Sequence, residues 1–159
     1  MTEVFRIPRV RVSVQVALVG RRNRDVSIFL GERAETHSGH ERPSDVLNSA
    51  RKFLPALERD SLVFLNLEAV TMVTVPAGVE YTEEELQLAY GAVPDETRRR
   101  IEVVLEDGTT LDGDIWYAMP EGQRRVQDFL NTPDRFFRLR EGDRALLVNK
   151  TRVLWVSQD

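Results

Sequence analysis

His37 and His40 stand close together in the stretch from Gly31 to Glu41, with Glu32, Glu35 and Glu41 around them. Two imidazoles beside carboxylates are donors that zinc accepts in a tetrahedral site. The stretch has no helical frame to fix their separation, so a solvated loop is the expected reading and a metal enzyme the lesser one. Asp112 and Asp114 fall on one face of an alternating stretch, with Asp107 in the turn before it. Paired carboxylates can divide acid and base roles when burial or repulsion separates their pKa values. Nothing in the surrounding sequence implies burial, and a hydrophilic sheet face is expected. Arginine supplies the third candidate chemistry. Arg21, Arg22 and Arg24 crowd one segment, Arg98, Arg99 and Arg100 a second, and Arg124 and Arg125 a third. Guanidinium forks suit phosphate, and Phe29, Trp116 and Tyr117 could stack on bases if exposed. Arg21, Arg22, Arg24, Arg124 and Arg125 are therefore the expected contacts to nucleic acid or to another partner. No nucleophile-base pair, phosphate loop or cofactor fingerprint accompanies these groups, so no catalytic, cofactor-binding or metal residue is assigned.

Four asparagines gain weight from where they recur. The stretch Asp45 to Val73 aligns with Asp128 to Val156 without a gap, pairing Asp45 with Asp128, Leu47 with Leu130, Asn48 with Asn131, Phe53 with Phe136, Asn66 with Asn149 and Val73 with Val156. A fixed register over that span points to a duplicated unit. Upstream, once a four-residue excess in the first copy's loop is allowed, Val14, Val16 and Leu18 fall on Ile101, Val103 and Leu105, and Asp25 and Ile28 on Asp112 and Ile115. Asparagine at the end of a helical turn or the start of a hairpin usually bonds to nearby backbone and tolerates left-handed angles. Asn48, Asn131, Asn66 and Asn149 are read in that way, with a polar pocket formed once per copy as the functional alternative.

The elements that position these residues are mainly strands. Val10, Val12, Val14, Val16 and Leu18 alternate with other residues in the period-two pattern of a half-buried strand, matched in the second copy from Ile101 to Leu105. Asp107-Gly108 is a tight hairpin signal, with Leu111 to Tyr117 as the return strand, and Val26 to Leu30 is the return in the first copy. A helical turn is expected around Ser44 to Asn48 and again around Val126 to Asn131. Strands follow at Phe53 to Leu57 and Phe136 to Arg140, then Leu62 to Leu67 with Val70 to Val75, and Ala145 to Asn149 with Arg152 to Ser157. Between the copies, Thr82-Glu83-Glu84-Glu85 is a capping box, flanked by Tyr81 and Leu86 as a hydrophobic staple, and predicts a helix from about Glu83 to Tyr90 that stops at Gly91 and Pro94. The expected division is a first β-module over 8–76, an acidic connector with a helix over 77–97, and a second β-module over 98–158.

At 159 residues the chain is one ordinary domain or two very small ones, and units this small lean on each other. Hydrophobic residues make up 42% and charged residues 30%, which is ordinary for a globular protein, and no run is long and apolar enough for a membrane span. Met-Thr-Glu-Val-Phe-Arg at the N-terminus has no apolar signal core before its first charges, so a cytoplasmic protein is expected. The absence of cysteine excludes disulfides and thiolate chemistry. The net charge of −4 is concentrated in the connector, where Glu80, Glu83, Glu84, Glu85, Asp95 and Glu96 occur without a base. That sign does not suit a protein whose whole surface attracts nucleic acid.

Five short antiparallel strands in so small a unit describe a small barrel, which removes exposed sheet edges. The fold class expected is mainly β: two tandem small five-stranded antiparallel barrel-like modules, each with a short helical turn, joined by a short capped helix. Leu147-Val148-Asn149-Lys150-Thr151-Arg152-Val153-Leu154-Trp155-Val156 resembles the second motif of Sm-like proteins, and Ile101 to Trp116 is similar in rhythm to the first. That resemblance implies an RNA-binding β-barrel of a ring-forming family. Asn149-Lys150 and Asn66-Leu67 stand where the Sm family has Arg-Gly, and the helical turn lies between strands instead of ahead of them, so the family's ring-forming and uridine-binding residues do not carry over. The pattern Asp-Phe-Leu-Asn, Phe-Phe, Val-Asn-Lys also resembles uncharacterised bacterial proteins. The function expected is a noncatalytic interaction or adaptor protein with another protein as partner and no cofactor, and the alternative is an Sm-like RNA-binding protein using the arginine-rich hairpins. Duplication can supply within one chain an interface that a single unit forms by dimerising, so a monomer or weak homodimer is expected.

Overall fold

The alternating valines near the N-terminus form the strand they predict. In the computed structural model, which describes residues 9–20, 23–34, 37, 39–87, 98–117 and 125–158, β1 (Arg9–Leu18) buries Val14 and Val16 and pairs antiparallel with β2 (Arg24–Gly31). A single helical turn, α1 (Pro43–Leu47), follows. Pro43 presets its first position, and Asp45 Oδ2 accepts the backbone N–H of Arg42 at 2.8 Å. Then come β3 (Phe53–Glu58), β4 (Ser61–Asn66), a 3-10 turn at Leu67–Ala69 and β5 (Val70–Pro76). The connector holds α2 (Ala77–Glu80) and α3 (Glu83–Gln87). In the capping box, Thr82 N–H donates to Glu85 Oε1 at 3.0 Å and Glu85 N–H to Thr82 Oγ1 at 3.1 Å. The expected continuation to Tyr90 lies outside the described residues.

The second half runs β6 (Arg98–Leu105), β7 (Thr110–Trp116), α4 (Val126–Leu130), β8 (Phe136–Glu141), β9 (Arg144–Asn149), a 3-10 turn at Lys150–Arg152 and β10 (Val153–Gln158). Each half follows the same plan, down to the turn between its third and fourth strands. There the backbone is left-handed at Arg59 in one half and at Gly142 in the other.

The expectation of two tandem barrels is overturned. Among the described residues, all ten strands belong to one sheet, open at both ends, in the order β10-β6-β7-β8-β9-β5-β1-β2-β3-β4. The physical reason is the use of β5 and β9. Closing each module would require β5 to pair with β4 and β10 with β9. Instead β5 pairs with β9 across the halves, from Met72↔Val148 to Pro76↔Arg144. The two strands that would close separate barrels thus make one junction, leaving β4 and β10 as free edges.

The side chains divide into two cores that this junction interlocks. The first is built on β1 to β5 and also takes Phe136, Ala145 and Leu147 from the second half. The second is built on β6 to β9, with Met72 of β5 packed against it. β9 is therefore covered on both faces, with Ala145 and Leu147 in one core and Leu146 and Val148 in the other. The sheet is narrowest where β2 meets β3 at Ser27↔Leu57 and β7 meets β8 at Asp114↔Arg140, each a single bridging pair.

Candidate interaction edges and the cleft between the halves

The junction displays what one strand of this sheet needs from its neighbour. Phe136, Ala145 and Leu147 are at most 2% exposed because the first half covers them. Polar groups hold the same seam. Asn48 Nδ2 donates to Phe136 O at 3.1 Å, and Phe136 N–H donates to Asn48 Oδ1 at 2.7 Å, so this side chain pairs like a strand residue across the halves. Asn149 is fully buried. Its Nδ2 donates to Leu67 O and Val70 O at 3.3 and 2.9 Å, and its Oδ1 accepts from Thr151 N–H and Oγ1 at 3.0 and 2.8 Å. Arg152 Nε adds a bond to Glu68 O at 2.9 Å.

The aligned asparagines in the other copy have only local bonds. Asn131 Nδ2 donates to Gln127 O at 2.8 Å, and Asn66 Oδ1 accepts from Glu68 N–H at 3.1 Å. All four side chains thus bond to main chain, but only Asn48 and Asn149 do so across the seam.

At the free edges the corresponding apolar side chains are uncovered. Phe53, Leu62 and Phe64 align with Phe136, Ala145 and Leu147 and are 55, 58 and 62% exposed. Trp155 of β10 aligns with Met72 and is 60% exposed, beside exposed Leu154. Sequence reading placed these residues in strands without marking them as a surface. Its only available signal was the alignment, which pairs each of them with a residue of the seam.

The arginine candidates do not form one basic surface among the described residues. Arg24 is tied to both carboxylate oxygens of Glu58 at 2.5 Å. Those bonds hold the half-buried Glu58 carboxyl below its usual pKa. Arg125 caps α4, its Nε 3.3 Å from Asp128 Oδ2, and Arg100 lies 3.7 Å from Asp114. Arg21, Arg22 and Arg124 lie outside the described residues. Trp116 faces Tyr81 edge-on at 6.2 Å, and Tyr117 stacks on Phe129 at 5.4 Å, so neither ring is presented as a free platform.

His37 links Gly39 to Asp45. Its Nδ1 accepts the N–H of Gly39 at 3.1 Å, which leaves Nε2 to donate to Asp45 Oδ2 at 2.7 Å. No cluster of three or more potential ligands that could hold a metal ion occurs among the described residues. Asp107 Oδ1 accepts from Thr109 N–H at 2.9 Å, a bond that lowers its pKa.

A cleft of about 860 Å³ lies between the halves, lined by Arg42, Ser44, Asn48, Tyr81, Trp116 and Arg138 among others. Behind its lining residues Arg42, Ser44 and Arg138 lies an ionic network that sequence reading did not find. Glu80, fully buried at the end of α2, accepts from Ser44 N–H at 2.8 Å and Ser44 Oγ at 2.6 Å, with Arg138 Nη1 3.5 Å away. Arg138 also reaches Glu85 at 3.1 Å, and Arg42 reaches Glu85 at 3.0 Å. Arg138 lies over the Tyr81 ring, 4.9 Å from its centre. Burial raises the pKa of Glu80 despite the Ser44 bonds and Arg138. For Glu85 burial acts in the same direction, but Thr82 N–H, Arg138 and Arg42 outweigh it and the pKa falls. Glu80 occurs among several connector acids, and nothing in its neighbours marks it as the buried one.

Removing this carboxylate has a defined consequence. Glu80→Ala strips Ser44 and Arg138 of a buried partner and is expected to cost about 2 kcal/mol in denaturant unfolding. Glu80→Gln keeps the shape and is expected to cost less. Because the folded pKa of Glu80 is raised above 4.5, the folded state binds a proton more tightly than the unfolded one, and this group's contribution to stability falls as pH rises through that window. Glutamine removes that dependence. Wild type should therefore compare better with Glu80→Gln at pH 4.5 than at pH 8, and a wild-type advantage that grows toward pH 8 would contradict the assignment.

No protein-family model matches the chain, and neither the curated proteins nor the solved structures compared with it give a match. With the sheet open and no match found, the suspected resemblance to an uncharacterised bacterial tandem-repeat protein with Sm-like barrels is overturned. Among the described residues no helix is long and apolar enough to cross a membrane.

Proposed function

We propose that the chain is a noncatalytic interaction protein that engages its partner through the open edges of the sheet. The observation that carries this reading is the exposure of Phe53, Leu62, Phe64, Leu154 and Trp155 on the two edge regions. An edge strand presents unpaired backbone N–H and C=O groups in a row, which a partner strand can accept, while flanking apolar side chains supply pockets and area. Natural edges are usually blunted by charge or proline. β4 reads Ser-Leu-Val-Phe-Leu-Asn and β10 reads Val-Leu-Trp-Val-Ser-Gln, with neither.

Nucleic-acid binding through the arginine hairpins is the lesser reading. Of the described members of those clusters, Arg24, Arg100 and Arg125 are engaged with Glu58, Asp114 and Asp128. Tagged wild type and Phe64→Lys recovered from lysate, each with and without nuclease, separate the two. A specific protein that survives nuclease and is lost with Phe64→Lys supports edge recognition. Recovery of nucleic acid alone, released by nuclease and weakening steeply with salt, replaces it with the arginine reading.

A further inference from the structure

We propose that the partner of each edge is a second copy of this chain, joined head to tail through β4 of one molecule and β10 of the next; this rests on the edge-recognition reading above. The chain already contains this interface once. Within the chain, the fourth strand of one half (β9) pairs antiparallel with the fifth strand of the other (β5). The two halves have the same strand order running in the same direction along the sheet, so the strands left over are again a fourth and a fifth, β4 and β10. Joining them repeats the internal seam between molecules.

The side chains fit that repetition position by position. The first core is completed by Phe136, Ala145 and Leu147, contributed from across the seam. The second core receives nothing at the aligned positions, while the aligned residues Phe53, Leu62 and Phe64 stand exposed at the far end of the sheet. Docked head to tail, they enter the second core of the next molecule as their counterparts enter the first. Trp155 takes the place of Met72. Asn131 aligns with Asn48, and on docking its side chain would exchange the local bond to Gln127 O for the backbone of Phe53, as Asn48 pairs with Phe136. The four-residue apolar run in β4 is also the composition of a strand buried on both faces, as β9 is, and is unexpected at an edge.

Transposing the pairs of the internal seam fixes the register: Trp155↔Leu65, Val156↔Phe64, Ser157↔Val63 and Gln158↔Leu62. Such an interface is heterologous, since each molecule offers two different edges. A self-complementary pairing of like edges behaves differently, and the test uses that difference.

Full-length wild type, Phe64→Lys and Trp155→Lys are compared by sedimentation velocity, with thermal unfolding to verify that the exposed substitutions leave the fold intact. Wild type is expected to sediment as particles of two or more chains and each variant alone as a monomer. An equimolar mixture of the variants is expected to form a two-chain complex, because Phe64→Lys retains a working β10 and Trp155→Lys a working β4. A monomeric wild type at tens of micromolar would overturn the proposal, as would a variant that stays dimeric alone, the mark of like-edge pairing. The chain has no cysteine, so Val63→Cys and Ser157→Cys give a second measurement: on oxidation they should cross-link with each other and neither with itself. Absence of that cross-link in multimeric wild-type background overturns the register. A monomer whose Phe64→Lys variant still loses a protein partner from lysate removes only the self-association, whereas edge variants that change neither assembly nor capture remove the edge-recognition reading as well.

Discussion

Asn149→Ala is expected to lower stability by about 4 kcal/mol, against about 1 kcal/mol for Asn66→Ala, although the two residues are aligned and each opens the same 3-10 turn. Both caps accept an N–H two residues on. Asn149 is in addition fully buried and donates to Leu67 O and Val70 O across the seam. Alanine there leaves these carbonyls and Thr151 N–H without the partner they have in the fold, and water has no access to replace it. Asn66 is exposed, and solvent can take over its one bond. Urea unfolding in the Phe64→Lys background keeps self-association out of the comparison. Equal losses at the two positions would mean that the seam is wet and that Asn149 is only a cap.

Gly113→Ala is expected to be comparably severe for a steric reason, at about 3 kcal/mol. A Cβ on Gly113 would lie 2.5 Å from Arg140 O and 2.8 Å from Leu139 Cγ. Neither neighbour can yield easily, since Arg140 forms the single bridging pair between β7 and β8 and Leu139 is fully buried. Thermal unfolding should show a drop in Tm of roughly 10 °C for a chain of this size. A drop under about 3 °C would show that β7 and β8 can separate at little cost. The residue aligned with Gly113 in the first half is Val26, which is itself buried, so the close approach belongs to the second half.

Local structure was legible to a fine grain. The alternation of Val10 to Leu18, the Asp107-Gly108 turn and the apolar runs around Leu65 and Leu147 locate their strands within a residue or two, because side-chain period and turn chemistry are properties of a few adjacent residues. The Thr82 to Glu85 capping box was legible for the same reason. Pairing partners were not. Leu62-Val63-Phe64-Leu65 and Ala145-Leu146-Leu147-Val148 read alike, yet one is a free edge and the other lies between β8 and β5. Backbone edges are chemically identical from strand to strand, so nothing in either run says whether its open side meets the same module, the other module or solvent. The barrel expectation failed at that step. The seam residues share the difficulty: Asn48 and Asn131 differ in environment only because one half has a neighbour where the other ends.

The seam between β5 and β9 also sets an order of events during synthesis. The first half leaves the ribosome with β5 complete but its outer edge bare, and its core lacks Phe136, Ala145 and Leu147 until the chain has been extended as far as Asn149. At the ~5–20 residues per second of translation, that interval is on the order of ten seconds. Throughout it the nascent chain carries an apolar strand, Val70 to Val75, paired with β1 on one side and bare on the other. Premature release after the connector would free a fragment with two sticky edges instead of one folded half, so a truncated product should be recovered with chaperones or as aggregate.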